Sequence, residues 1–345
     1  MLKFRYLISF YIIFSAACLA QTDSLHFIIK GKVVELETGA PVISATVFLE
    51  NTTIGTTTNQ NGEFVLKSSK YGTYNLIVSS IGFELQSIGG KAHRAELFNL
   101  TIKLKQKSIL LNEVRIEGKI PDDWIEHLKL FKDEFIGKTK NSEETKIVNP
   151  EVINFRVDEN TGTLHAYTDS TIIINNMALG YRLKIILDSF SFNQKGLLRY
   201  YYHCRFEELN PEDDKQKEVW EDNRKDCYLG SQEHFFSSLI NKSASDEFVL
   251  YTKDPKLATI TKWHSIAPED LMLSYDKEDK QFVFNTDKII KVEYFRSSKV
   301  SYFRSLGNEI SIDPYGIPKN LFILGGYWKD SRMADQLPYD YVYTP

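Results

Sequence analysis

From residue 27 to residue 104 the chain repeats one device: a short run with an apolar side chain at every second position, closed by a cluster of turn formers. A period of two places those side chains on one face of a β-strand, and that face is buried only when a second sheet covers it. In residues 27–34, Ile29 and Val33 share a face with Gly31 between them. Ala45, Val47 and Leu49 then alternate with Thr46, Phe48 and Glu50. Asn59-Gln60-Asn61-Gly62 separates residues 56–58 from 64–66, and Tyr71-Gly72-Thr73 leads into Tyr74, Leu76 and Val78. Ile81, Phe83 and Leu85 follow, and Leu100, Ile102 and Leu104 complete the set. Asn-Gly and Gly-Thr steps suit turns because Gly accepts positive φ at no steric cost. Seven short strands without a helical period predict two packed antiparallel sheets, a transthyretin- or Ig-like sandwich over residues 27–105. No cysteine falls within it, so its core must rest on packing alone.

Several of these phrases carry a resemblance. Gly31-Lys32-Val33-Val34, Thr38 to Val42, Ala45-Thr46-Val47, Gly55 to Asn59, Gly62-Glu63-Phe64 and Tyr74 to Phe83 resemble, in order, the carboxypeptidase regulatory-like domain. The resemblance implies a transthyretin-like, carbohydrate-binding-type sandwich acting as an accessory or docking module, without peptide hydrolysis. Fold alone assigns no sugar site. Leu111 to Gly118, within a linker at 106–120, is similar to the segment that joins this module to the plug of TonB-dependent outer-membrane receptors. A plain linker strand is the simpler reading. The residues after Gly118 are too few for a plug and a large barrel, and the chain closes on Thr344-Pro345 without a typical terminal membrane strand.

The first twenty residues read as a secretory signal. Lys3 and Arg5 precede an uncharged run from Tyr6 to Ala17, which closes on Cys18-Leu19-Ala20, with cleavage expected after Ala20. The run is short of the ~20 residues that span a bilayer, so no transmembrane helix is expected after cleavage. Ser15-Ala16-Ala17-Cys18 also partly fits a lipoprotein site, with Ser15 where Leu is usual; acylated Cys18 would tether the protein to a membrane. Losing Lys3 and Arg5 from 42 basic residues leaves the chain more acidic against 46 carboxylates. No basic cluster remains to neutralise a phosphate backbone, which argues against nucleic acid.

Residues 121–345 read as an α+β region with antiparallel sheet. Trp124, Leu128, Phe131 and Phe135 fall on one helical face, expected to pack on a sheet, with Asp122 as N-cap and Gly137 as stop. Strand-like runs occupy 146–157, 163–174, 181–192 and 198–206. A charged stretch from 212 to 241, interrupted by Gly230, predicts two helices, and further strands are expected at 248–252, 282–285, 289–295 and 309–312. Phe135 to Thr139, Asn149-Pro150, Asn176 to Tyr181, Arg224, Tyr228 to Ser231, His234-Phe235 and Gly326 to Tyr341 resemble a region that follows regulatory-like sandwiches in uncharacterised bacterial cell-envelope proteins. That resemblance implies no activity.

Strings that signal chemistry are scarce. His93-Arg94-Ala95-Glu96 imitates half of a zinc carboxypeptidase motif, but it lies in a sandwich loop and reads as coincidence. There is no His-Glu-x-x-His and no Gly-x-Ser-x-Gly. Ser231 beside His234 suits a helix cap better than a nucleophile and base. His203, Cys204, Cys227 and His234 make a poor zinc set, because neighbours in a strand point to opposite faces. Cys204 and Cys227 are either a disulfide, as export would favour, or two buried thiols. Tyr200-Tyr201-Tyr202 and Tyr327-Trp328 offer aromatic rings to a sugar, or to the core. The expectation is a non-catalytic exported binding or assembly protein, periplasmic or outer-membrane-associated, with no cofactor or metal and with another envelope protein or a glycan as partner. The alternatives are an envelope peptidase or glycosidase with its site in 121–345, and a relative of TonB-dependent receptors.

Overall fold

A computed structural model describes residues 27–92, 94–107, 123–253, 262–307, 309–319 and 322–344. The leader with Cys18, His93, the 111–118 segment and Asp122 lie outside the described residues. The protein is mainly β. Its N-terminal alternation becomes seven strands: β1 (Phe27–Glu35), β2 (Thr46–Leu49), β3 (Gly55–Thr57), β4 (Glu63–Ser68), β5 (Gly72–Ser79), β6 (Gln86–Ala92) and β7 (Leu97–Leu104). They form sheets of order β4-β1-β7 and β3-β2-β5-β6. Ile29, Val33, Val47, Leu66, Leu76, Val78 and Leu104 close the core between them. Gly62, at φ +76°, is required at the turn before β4, because a Cβ there would lie 2.4 Å from the Val33 carbonyl.

Two expectations are corrected here. The sheets are not wholly antiparallel, since β1 runs parallel to β7. The sixth strand is not at 81–85: Ile81 is fully exposed in a turn with Gly82 at φ +83°, and β6 starts at Gln86, where its backbone pairs with β5.

Beyond the sandwich, α1 (Trp124–Phe135) precedes β8 (Thr145–Ile147), β9 (Ile153–Val157), β10 (Leu164–Thr168), β11 (Ile172–Asn176), β12 (Tyr181–Phe192) and β13 (Leu198–Glu208). These strands form a six-stranded sheet of order β8-β11-β12-β10-β9, with β13 along the other side of β12. The expected run at 146–157 is split at Asn149-Pro150, where Pro removes an N–H and a short 3₁₀ turn intervenes. The run at 163–174 divides into β10 and β11. The apolar stripe of α1 packs as expected: Phe131 and Phe135 are fully buried, with Phe131 4.8 Å from the Phe190 ring and Phe135 5.4 Å from Tyr200.

The charged stretch forms α2 (Asp214–Tyr228) and α3 (Gln232–Ile240), broken at Gly230 as the sequence predicts. The side chains of α2 read three successive carbonyls of the turn between β11 and β12. Trp220 Nε1 donates to Met177, Asn223 Nδ2 to Ala178 and Arg224 Nε to Leu179, at 2.6, 2.8 and 2.8 Å. Gly180 (φ +68°) admits this approach, as a Cβ would meet the Trp220 ring at 2.1 Å. Next come β14 (Phe248–Lys253), β15 (His264–Ile266), β16 (Ser274–Asp276), β17 (Gln281–Asn285), β18 (Ile289–Tyr294), β19 (Val300–Ser305), β20 (Glu309–Ile312), β21 (Phe322–Gly326) and the single turn α4 (Tyr327–Asp330). They make a five-stranded sheet, β15-β14-β18-β19-β21, and a small one, β16-β17-β20. Phe235 and Phe236 of α3 pack there against Phe303 and Trp328.

Candidate functional site

The feature that organises the described residues is the seam where one end of the sandwich meets the six-stranded sheet. It starts from backbone. The loop after β2 bends at Asn51 (φ +57°) and lays residues 51–52 along the free edge of β13. Asn51 N–H donates to the Cys204 carbonyl at 2.7 Å, and Phe206 N–H donates to the Thr52 carbonyl at 2.9 Å. An unpaired strand edge is a row of unsatisfied donors and acceptors, and this loop covers part of it.

The C-terminal segment fastens the seam from a second side. Tyr339 N–H donates to the Asn51 carbonyl at 2.7 Å. Asp340 accepts from the Thr53 N–H at 2.9 Å and also from the Thr53 hydroxyl. Lys70, in the turn before β5, donates to the carbonyls of Tyr339 and Tyr341. The same segment reaches the helical layer upstream, where Ala334 N–H donates to the Ile136 carbonyl and Asn176 Nδ2 donates to the Ala334 carbonyl. A single strap therefore binds the sandwich, β13 and the end of α1 together.

His203 sits at the middle of the seam, 9 % exposed. Its Nδ1 meets Glu50 of the sandwich, and its Nε2 lies 3.2 Å from Asp188. The second oxygen of Glu50 accepts from Asn75 Nδ2 at 2.9 Å. The Glu50 hydrogen bond outweighs burial and holds the imidazole pKa above its ordinary value. With a carboxylate at each nitrogen the ring favours the imidazolium form, a cationic rivet between two parts of the chain. Neither nitrogen is left for a metal or for a substrate proton. A groove of about 520 Å³ follows the strap, lined by Thr53, Tyr181, Glu208, Arg224 and Asp340 among others. The Arg224 guanidinium covers the Tyr181 ring at 4.1 Å.

The residues singled out from sequence fall in different places. Cys204 and Cys227 are both free thiols, each buried in the core beneath the six-stranded sheet. Cys204 faces inward from β13 while His203 faces the sandwich, as strand alternation requires. Cys227, near the end of α2, instead receives Asn141 Nδ2 at 3.2 Å. Burial drives both thiols well above the usual cysteine range. His234 does not join His203. Its Nδ1 accepts from Gly230 N–H at 2.9 Å, so its Nε2 carries the proton toward Glu247, 3.1 Å away. Ser231 caps α3, its hydroxyl accepting from His234 N–H at 3.1 Å. Tyr200 and Tyr202 pack against α1, with the Tyr202 hydroxyl donating to Gln336, while Tyr201 points outward. Trp328 is buried and donates to the Gly230 carbonyl. Sequence reasoning missed Glu50, Thr53, Lys70, Asp188 and Asp340. Among the described residues no helix is long and apolar enough to cross a membrane, which leaves strands out of account, and no group of three or more His, Cys, Asp or Glu is placed to hold a metal ion.

Two facing sheets of three and four strands, with one end engaged and loops at the other, define the N-terminal region as a β-sandwich module. Residues 29–116 match the family model described as the CarboxypepD_reg-like domain, so this module is a carboxypeptidase regulatory-like domain. No curated protein matches the chain. Among solved structures, the backbone protein of group B streptococcus pilus 2b is 20 % identical over 25 % of this chain, with a TM-score of 0.21, and the match spans 43 % of that protein. A type II cohesin–X–dockerin complex of Acetivibrio cellulolyticus is 21 % identical over 30 % of this chain and 72 % of its own, with a TM-score of 0.22. A Bacteroides fragilis protein described as membrane-associated and of unknown function is 8 % identical over 87 % and 97 % of the two chains, with a TM-score of 0.19. Such scores are too low to establish a shared architecture.

Proposed function

We propose that this is a non-catalytic binding or assembly protein of the bacterial cell envelope, exported to the periplasm or the outer membrane, in which residues 27–105 are a docking module on a body formed by 121–345. Its partner is another envelope protein or a glycan. The observation that supports this best is the polarity of the sandwich. One end, with Glu50, Asn51, Thr53 and Lys70, is consumed by the seam. At the other end β1 and β7 stop side by side at Glu35 and Leu104, and β2 starts opposite the end of β5. There Leu36, Ile43 and Ile81 are 46 %, 55 % and 101 % exposed. Exposed aliphatic side chains at loop tips suit contact with a partner.

The test is expression of the full chain in a bacterial host with a periplasm, followed by fractionation, mass measurement of the mature N-terminus and turnover assays on peptide and glycoside substrates. The expected product starts after Ala20, or carries lipid on Cys18, lies outside the cytoplasm and shows no turnover. An unprocessed cytosolic protein, or turnover lost on substitution of a residue in 121–345, would overturn the reading.

A further inference from the structure

A pocket of about 410 Å³ opens where the end of α2 meets the turn between β18 and β19. Three cations line it: Lys225 on α2, and Arg296 and Lys299 on the turn. Lys299 uses two of its three N–H bonds on the carbonyls of Asp226 and Leu229, at the end of α2. This holds the ammonium at the pocket, where it also lies over the Tyr327 ring at 4.5 Å. Burial lowers the Lys299 pKa. The Lys225 ammonium lies over the Tyr343 ring at 5.5 Å, and Arg296 lies over Phe295 at 5.7 Å. Among the described residues neither Lys225 nor Arg296 forms an ion pair.

Two carboxylates also line the pocket, and one of them faces inward. Glu247 is directed to His234 Nε2 at 3.1 Å and to the Ser238 hydroxyl at 3.5 Å. Asp226 remains as the exposed acid. Three cations against two carboxylates leave the pocket with a single excess positive charge, which suits a monoanion better than a phosphate dianion. His234 lies behind the pocket, on the far side of Glu247. Desolvation depresses its pKa, Lys299 and Arg296 depress it further, and the adjacent Glu247 does not reverse the direction.

The rest of the wall is aromatic and polar. Tyr343 stacks on Tyr228 at 5.0 Å and 15°, which fixes its ring in place, and Tyr294 and Ser297 complete the lining. A fixed ring with a negative π-face attracts the polarised C–H face of a pyranose. The guanidinium fork of Arg296 matches a carboxylate. The volume falls in the range of small-ligand sites. We infer that this pocket is a binding site for a carboxylate-bearing sugar of the uronic acid class. The inference deepens the binding role proposed above and rests on it.

The experiment uses the full mature chain and titrates it by calorimetry with digalacturonate, with the neutral disaccharide cellobiose and with inorganic phosphate. The variants Arg296→Glu, at an exposed position, and Lys225→Glu, at a half-buried one, are measured alongside, with circular dichroism to verify their fold. Digalacturonate is expected to bind saturably, with cellobiose and phosphate each roughly tenfold or more weaker, and with affinity lowered about tenfold or more in each folded variant. Affinity should also fall with added salt. Absence of saturable binding, equal binding of cellobiose, tighter binding of phosphate, or folded variants that bind like the wild type would each overturn the site. Cleavage of digalacturonate by the wild type would instead contradict the non-catalytic reading while leaving the pocket in place, so the two failures are distinguishable.

Discussion

The seam and the junction of α3 with the five-stranded sheet each bury one histidine beside a carboxylate, yet the two rings are driven in opposite directions. His203 meets a carboxylate at both nitrogens, and its pKa is raised. His234 meets one carboxylate only; its Nδ1 accepts a backbone N–H, its ring is enclosed by Phe248 and Tyr294, and its pKa is lowered. An N–H aimed at a ring nitrogen requires a lone pair there, which the imidazolium lacks. Burial is the largest influence on His234, whereas the Glu50 hydrogen bond outweighs it at His203. The balance of burial and ring-nitrogen partners therefore decides whether a buried histidine acts as a charged clasp between parts of a chain or as a neutral wedge within a core.

The comparison can be broken at several points. Phe235→Ala, in the core at the α3 junction, is expected to cost about 3–5 kcal/mol in urea unfolding, because a fully buried ring leaves a cavity. A loss below 1 kcal/mol would mean that this junction is not a packed core. His234→Ala should cost about 2–3 kcal/mol, since it orphans the Gly230 N–H and deprives Glu247 of the closer of its two donors. His203→Gln should cost about 1–2 kcal/mol and act on the seam without unfolding the sandwich.

The pH dependence sharpens the contrast. His203 has a folded pKa above its unfolded value of about 6.5, so its stabilisation is complete below that value and is lost as pH rises through the folded pKa. His234 has a folded pKa below the unfolded one, so its stabilisation is present above about 6.5 and is lost as pH falls toward the folded value. Between about pH 5 and 8 the two histidines thus tilt stability in opposite senses. Unfolding measured across that window should slope more steeply upward with pH in His203→Gln and less so in His234→Ala; identical slopes would contradict both assignments. At the small end, Lys91→Ala should leave stability unchanged within measurement error, because the Lys91–Asp279 pair is exposed to water.

How much of this was legible in the sequence depends on what each residue faces. Strands covered on one side only, such as β4 with Phe64, Leu66 and Ser68 buried in alternation, show their period openly. β6 does not, because Ser87, Gly89 and Gly90 place few apolar side chains and the strand is held by backbone pairing to β5. Its false substitute, Ile81 to Leu85, alternates in sequence while Ile81 projects into solvent. The opposite facing of His203 and Cys204 followed from strand geometry alone. The partners of His203 did not. Glu50 and Asp188 are ordinary surface-type residues, and Thr53 and Asp340 are 287 positions apart, so no local pattern links them. Composition likewise left the cysteines open between bridge and thiol; here α2 directs Cys227 toward Asn141, and both sulfurs are free.

Hydrogen exchange at three seam amides tests the docked sandwich most directly. Asn51, Phe206 and Tyr339 donate across the junction to Cys204, Thr52 and Asn51. All three should be protected in the wild type, and in Asp340→Ala they should exchange faster together while the amides of β1 and β5 stay protected. Exchange of the three at free-peptide rates in the wild type would show that the sandwich is tethered to the rest of the protein and not docked on it.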